Sequence, residues 1–285
     1  MLPSTLRRAF PWILRAWWAA LPFAAGPAFA YALRDAQRSV QTVASVGLWV
    51  GWAVGLTAAV VPHPVSLTAL RVLAPAAAAG AIAAAVGQDS SVLAVAWTAV
   101  AVALAMAPDT GLLCANGPAY PNERRFPLRA PGALLFGPLE LAWALAVAGV
   151  VSGPVLLAAR EWLWGALGTV IGLPLAALLL RSLHQLSKRW AVFVPAGLVV
   201  VDPIGLVDSV MLRRQQIRAL GPARVDSTAV DLTQGAPGLA LEAVLSDSID
   251  VVLVRQGRPA KATALLFTPT LPGALLDEAA SRRVG

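Results

Sequence analysis

The sequence predicts a multi-domain chain: a six-span α-helical membrane bundle over residues 1–189, then a small antiparallel β domain over residues 190–285 closed by a C-terminal helix. Three observations carry this expectation. The chain is 58% hydrophobic and only 13% charged, with a mean hydropathy of +0.71, where a soluble domain carries about 25% charged residues. Six apolar runs of helical length fill the first two-thirds. After Lys188 the apolar pattern shortens into β-branched runs separated by Pro and Gly turns.

The net charge of +7 is a topology signal and not a nucleic-acid footprint. Residues 1–189 hold 13 basic and 6 acidic side chains, a difference of 7, whereas residues 190–285 hold 9 of each. All of the excess flanks apolar spans. Arg outnumbers Lys 20 to 2 in an Ala-rich chain, which suggests GC-rich bacterial coding. Cys114 is the only cysteine, so one chain can build neither a disulfide nor a thiolate cluster.

The expected spans are residues 16–33, 42–61, 72–86, 92–107, 133–158 and 163–180. Arg7, Arg8 and Arg15 precede the first; a signal peptide ending near Ala28-Phe29-Ala30 is the competing reading of residues 1–30. The second span has no charge and carries Gly47, Gly51 and Gly55 at four-residue spacing. Glycines so placed let a second helix backbone approach in lipid, within one chain or between copies in a homo-oligomer. The third and fourth spans form a hairpin around a GQDSS turn. Pro154 and Pro174 kink the last two spans, and Trp162 and Trp164 sit at the outer rim.

Counting basic flanks places ten on one side (Arg7, Arg8, Arg15, Arg71, Arg124, Arg125, Arg129, Arg181, Lys188, Arg189) and three on the other (Arg34, Arg38, Arg160). By the positive-inside rule, both termini and the loop over residues 108–132 are cytoplasmic in a bacterial plasma (inner) membrane.

In the tail, runs over residues 190–194, 197–201, 210–212, 216–220, 239–245, 249–254 and 262–267 read as seven strands, and residues 272–283 as a helix with Leu275, Leu276 and Ala279 on its apolar face. The segment RWAVFVPAGLVVVDPIGLVDSVMLRRQQIRALGPA resembles the start of bacterial pleckstrin-homology-like (PH-like) domains, with Arg214 to Leu220 fitting their "basic, x, x, Ile, x, x, Leu" step. LLFTPTLPGALLDEAASRR resembles their closing strand and helix. The layout as a whole, including NGPAYPNERRFPLR, resembles an uncharacterised actinobacterial family of multi-pass membrane proteins with such a domain. That resemblance implies a fold and a protein-interaction or scaffolding role, and no reaction.

Four sets of residues are candidates for function. Tyr120, Glu123, Arg124, Arg125 and Arg129 concentrate polar chemistry in the central loop, with the arginines as forks for an anionic group or partner carboxylate; topology alone also explains their charge. Glu140, seven residues into the fifth span, pairs by depth with Arg71 at the edge of the third, as a structural pair or as part of a transport path. Arg213, Arg214 and Arg218 suit the inner leaflet or a partner, with Arg214 and Arg218 on one strand face beside Gln216. Gly47, Gly51 and Gly55 are packing residues.

His63 and His184 stand alone, without ligands at metal spacing, and no HExxH, GxSxG, GxGxxG or GxxxxGK[ST] motif occurs. The expectation is therefore a scaffold or regulatory protein in the lipid bilayer, with a protein partner for its β domain and no catalytic residue, cofactor, metal or nucleic acid. A transporter or channel subunit built around Glu140 is the alternative.

Overall fold

The computed structural model describes residues 4–86, 91–254, 257 and 259–285, with side chains from residue 8 onward. The expected GQDSS and RQGRP turns fall largely outside this set, as does the side chain of Arg7. The chain forms two compact units: Met1–Gly117 with Leu141–Leu183, and Pro118–Glu140 with His184–Gly285. The expected division after Arg189 thus gives way to one in which the central loop belongs with the tail.

The first unit is helical: α1 (Ser4–Ala19), α2 (Leu21–Ala32), α3 (Arg38–Val60), α4 (Pro64–Ala85), α5 (Val92–Met106), α6 (Pro108–Asn116) and all but the first turn of α7 (Pro138–Ala158) and the last turn of α8 (Trp162–Leu186), which fall in the second unit. Among the described residues four helices (α3, α4, α7 and α8) are long and apolar enough to cross a membrane, or five if α5 and α6, bent by 53°, make one span. Their outward faces are apolar: Trp49, Val50 and Val54 on α3, Val150 and Val151 on α7, Val170, Ile171 and Leu178 on α8 are all exposed. Large apolar side chains turned outward along whole helices suit a hydrocarbon solvent.

The expected first span is two helices, broken at Ala20. Proline explains the break, because Pro22 has no N–H to give the carbonyl of Trp18 four residues back. That carbonyl instead accepts the indole N–H of Trp52 at 3.1 Å, while the Trp18 indole donates to the Trp52 carbonyl at 2.9 Å. Trp17 and Trp97 repeat the exchange at 3.0 and 3.1 Å, with their rings stacked 3.8 Å apart. Four tryptophans thus fasten the break to α3 and α5. Leu14, Trp18, Ala58, Ala59, Leu70, Ala74 and Ala105 form the adjoining core.

Other span boundaries also move. His63 caps α4, its Nδ1 accepting the Val65 N–H at 3.2 Å, and Pro64 opens the helix; residues 64–71 are therefore helical, not loop. The first nine residues of the expected loop are α6.

The second unit holds two four-stranded sheets and a last helix. The first runs β1 (Arg124–Pro127), β2 (Trp190–Val194), β3 (Gly197–Val201), β4 (Val210–Arg213), all antiparallel. The second is ordered β5 (Ile217–Pro222), β7 (Leu241–Val252), β8 (Pro259–Phe267), β6 (Val230–Asp231), antiparallel except for β6, which lies parallel to β8. Helix α9 (Pro272–Ser281) buries Leu275 and Ala279, on the apolar face the sequence marks.

The strand count changes in an instructive way. The two strands expected over residues 239–254 are one long strand, β7, whose register against β8 shifts between Val244 and Ile249. The remaining antiparallel strand comes from the central loop, where Arg124, Arg125, Phe126 and Pro127 pair with Phe193, Val192, Ala191 and Trp190. Phe126, Phe193, Leu198, Val200, Leu212, Leu241, Leu265 and Phe267 are buried in the unit's core.

Candidate functional site

The central loop and the tail meet along a polar seam inside the second unit. β1 supplies backbone to it: beyond the strand, Leu128 N–H donates to the Arg189 carbonyl at 3.0 Å, Arg129 N–H to the Thr268 carbonyl at 2.9 Å, and Thr270 N–H to the Pro127 carbonyl at 2.9 Å. Gly132 passes directly over the carbonyl of Gly235, an approach that leaves no room for a Cβ, and its N–H donates to the Gln234 carbonyl at 3.2 Å.

At the centre of the seam, Arg189 and Asp202 form a fully buried ion pair, with side chains 1% and 0% exposed. The guanidinium donates twice to the carboxylate, at 2.8 and 2.7 Å, and also to the Arg129 carbonyl. Asp202 further accepts from Ile204 N–H and Gly205 N–H, each at 3.1 Å, and from Gln234 Nε2 at 3.2 Å. A bidentate pair whose remaining lone pairs are filled is the geometry in which burial of two charges is tolerated. In the sequence Arg189 stands as one more basic flank, which hides this pair. The signal was available: Asp202 opens a DPIG turn, and a carboxylate that binds its own turn amides is oriented to receive a cation.

The five loop candidates all lie in the second unit and divide by role. Glu123 pairs with Arg125 at 2.7 Å, both side chains largely buried, and also accepts the Tyr120 N–H at 3.2 Å. The hydrogen bond from Arg125, foremost, holds the Glu123 carboxyl below the usual carboxylate range. Arg125 lies 5.0 Å over the ring of Trp190, so it is a strut of the β1–β2 seam. Arg129 spreads across Gly238, where an added Cβ would sit 2.9 Å from its Nε, and that Nε is buried with no hydrogen-bond partner. Arg124 is half-buried at the start of β1, opposite Phe193, while the ring of Tyr120 is exposed. From the C-terminus Arg282 pairs with Glu278 at 2.7 Å and donates to the Asn122 carbonyl at 2.9 Å.

Arg213, Arg214 and Arg218 are exposed, but they do not share one strand. Arg213 ends β4, residues 214–216 form a 3-10 turn, and Arg218 lies in β5. Gln216 faces back into that turn, its Oε1 accepting the Arg213 N–H at 3.1 Å. The alternation expected for Arg214, Gln216 and Arg218 fails because the chain turns a corner there.

Glu140 is not deep in a span. Residues 132–134 make a 3-10 turn and α7 starts at Pro138, which puts Glu140 in its first turn, accepting the Gly137 N–H at 2.9 Å. A carboxylate at that position satisfies an orphan donor and suits the helix dipole. Arg71, expected at a helix edge, sits in the second turn of α4 with its Nε buried and without a hydrogen-bond partner. Glu140 and Arg71 belong to different compact units, and each has its own local environment.

The glycine expectation divides too. Gly55 receives the indole of Trp18, Gly51 meets Leu73 at 3.8 Å, and Gly47 faces open space; what approaches is a side chain, not a helix. The backbone contact lies elsewhere, where Gly149 abuts the Gly172 carbonyl, Gly153 abuts Thr169, and Gly168 abuts Gly153 between α7 and α8. Small residues at four-residue spacing on both helices were the signal for it.

Among the described residues no three His, Cys, Asp or Glu side chains gather at a spacing suited to a metal ion. No protein-family model, no curated protein and no solved structure matches the chain.

Proposed function

We propose that the chain is an integral membrane scaffold or regulatory protein that presents a cytoplasmic PH-like interaction domain and performs no catalysis. The observation that carries this reading is the seam. A loop between spans and the C-terminal tail contribute strands to one β unit, whose buried charges are spent on each other, while Tyr120, Arg213, Arg214 and Arg218 stay at its surface. Seven antiparallel strands in two sheets, joined by the short parallel β6 and followed by a helix, support the PH-like assignment.

Six spans with both termini in the cytoplasm fit the contacts within the helical unit. Arg15 reaches the Ala59 and Val60 carbonyls at the C-terminal end of α3, and Gln41, in the first turn of α3, reaches the Leu33 and Arg34 carbonyls just after α2. We read the end of α1 and all of α2 as one broken span whose two ends lie beside the two ends of α3. Gly117 after α6 returns to Pro62 before α4, and Ser39 at the start of α3 donates to the Ala158 carbonyl at the end of α7. The transport alternative rested on a carboxylate deep in the bilayer, and Glu140 as a first-turn cap gives it no support.

The test is site-specific photo-crosslinking of the full chain in its native membrane, with the crosslinker at Tyr120 or at Arg218. The reading expects one recurring protein partner at either position, absent when the crosslinker is at exposed Trp49 in α3. No protein adduct at either position, in a chain that is inserted and folded, would sink it.

A further inference from the structure

We infer that the outward face of α1 binds the anionic phospholipid headgroups of the leaflet in which α3 ends. The helix has two faces. Phe10, Leu14 and Trp18, spaced by four, are 7%, 1% and 3% exposed and turn into the helical unit. Away from that face, Arg8 and Trp12 are exposed at i and i+4, and half-buried Arg15, at i+7 on the flank toward α3, holds its guanidinium 5.0 Å from the Trp12 ring centroid. Trp12 is 69% exposed, with Ile13 beside it at 41%. Among the described residues, this large aromatic ring, held beside an arginine, is left mostly uncovered.

The depth of this stripe identifies what covers it. Arg15 Nε and Nη2 donate to the Ala59 and Val60 carbonyls, each at 3.2 Å, at the last turn of a helix long and apolar enough to cross a membrane. Arg15 therefore marks the level at which that helix leaves the hydrocarbon. At 1.5 Å per residue, Trp12 is at most about 5 Å and Arg8 at most about 10 Å from that level, whatever the tilt of α1. Those distances fall within or next to the headgroup layer, where tryptophan partitions and where arginine meets phosphate oxygens.

The charge selects the headgroup. Arg7, Arg8 and Arg15 stand in a segment with no acidic residue before Asp35, so nothing on α1 offsets attraction to an anionic lipid, and a zwitterionic one offers less. This surface lies on α1, in the helical unit, and makes no use of the β unit, so the inference rests only on the placement of the helices in a membrane. It stands or falls separately from the interaction role proposed above.

The test uses the full chain in nanodiscs of equimolar phosphatidylglycerol and phosphatidylcholine, with retained lipids counted by native mass spectrometry. Phosphatidylglycerol should be retained in preference, and Arg8→Gln should cut the preference about five-fold, the factor one basic residue supplies at an anionic surface. Trp12→Ala should lower retention of both lipids at this site, and Arg38→Gln, at the far end of α3, should change neither. Depth is read independently by spin-labelling a Trp12→Cys, Cys114→Ser chain, with power saturation expected to report the interface. Equal retention of the two lipids, an unchanged preference in Arg8→Gln, or a fully aqueous label would overturn the inference.

Discussion

Cutting the chain at Trp190, the boundary that the apolar pattern suggests, should yield a tail that does not fold. The fragment 190–285 lacks Arg189 and β1. Loss of Arg189 leaves the Asp202 carboxylate, 0% exposed, without its cation, and breaking a buried pair by removing one partner costs about 3–5 kcal/mol. Loss of β1 removes its pairing with β2 and the three backbone bonds beyond it, at about 0.5–1.5 kcal/mol each. Together these losses approach or exceed the roughly 5–15 kcal/mol that holds a domain together. A spliced chain, 118–140 joined by a short Gly-Ser linker to 184–285, restores both. We expect the spliced chain to unfold cooperatively in urea without detergent, and the fragment 190–285 to show no transition. Asp202→Ala in the spliced chain should reproduce about 3–5 kcal/mol of the loss. An identical urea midpoint for the fragment and the spliced chain would refute the reasoning.

Four further outcomes are expected. Trp52→Phe strands the Trp18 carbonyl, whose helical donor is already missing at Pro22, and should cost about 1–3 kcal/mol in a detergent thermal melt, whereas exposed Trp49→Phe should be near neutral. Gly149→Leu or Gly153→Leu should drive α7 and α8 apart and abolish a disulfide engineered between them, while Gly47→Ala, which faces open space, should leave a corresponding α3 probe unchanged. Glu140→Gln should cost no more than about 0.3–1 kcal/mol, the scale of a first-turn charge on a helix dipole, and should not change any pH-dependent flux. The Glu123 carboxyl is lowered chiefly by its hydrogen bond from Arg125, so its contribution is present above the unfolded value near about pH 4.3 and is lost as pH falls through the folded value. The spliced unit should therefore destabilise in that acid range by more than its Glu123→Gln variant does; parallel pH curves would count against the pairing.

Periodicity made the elements legible and concealed how they are shared. Apolar length located α3, α4, α7 and α8, because a long apolar run with at most one charge has few alternatives. The tail's short runs located β2, β3, β4, β5 and β8. What a run-by-run reading cannot show is a four-residue strand such as RRFP, half of it charged, whose place in a sheet depends on β2 some sixty residues away. Among the candidate residues, charge was read as availability. Arg125 reads in the sequence as a fork for an anionic group and Arg189 as a flanking charge, yet the first is occupied by Glu123 and the second by Asp202. Glu140 differs for a related reason: the apolar run begins at Ala133, whereas Gly137 and Pro138 mark the true helix start.

The order of elements along the chain carries a mechanical consequence of its own. β1 precedes the α7–α8 hairpin and β2 follows it, so the two strands that pair are separated in sequence by that whole hairpin. Closing a loop this long costs little more entropy than closing a short one, because the penalty grows only with the logarithm of length. The pairing of β1 with β2 nevertheless requires both helices to have been placed. An inserted, glycine-packed α7–α8 hairpin restricts the search, and the β unit should mature after it. In a pulse-chase experiment, protease resistance of the β unit should therefore lag hairpin insertion in the wild type and be delayed further in Gly149→Leu. Simultaneous protection, unaffected by that substitution, would show that the strands find each other without the hairpin.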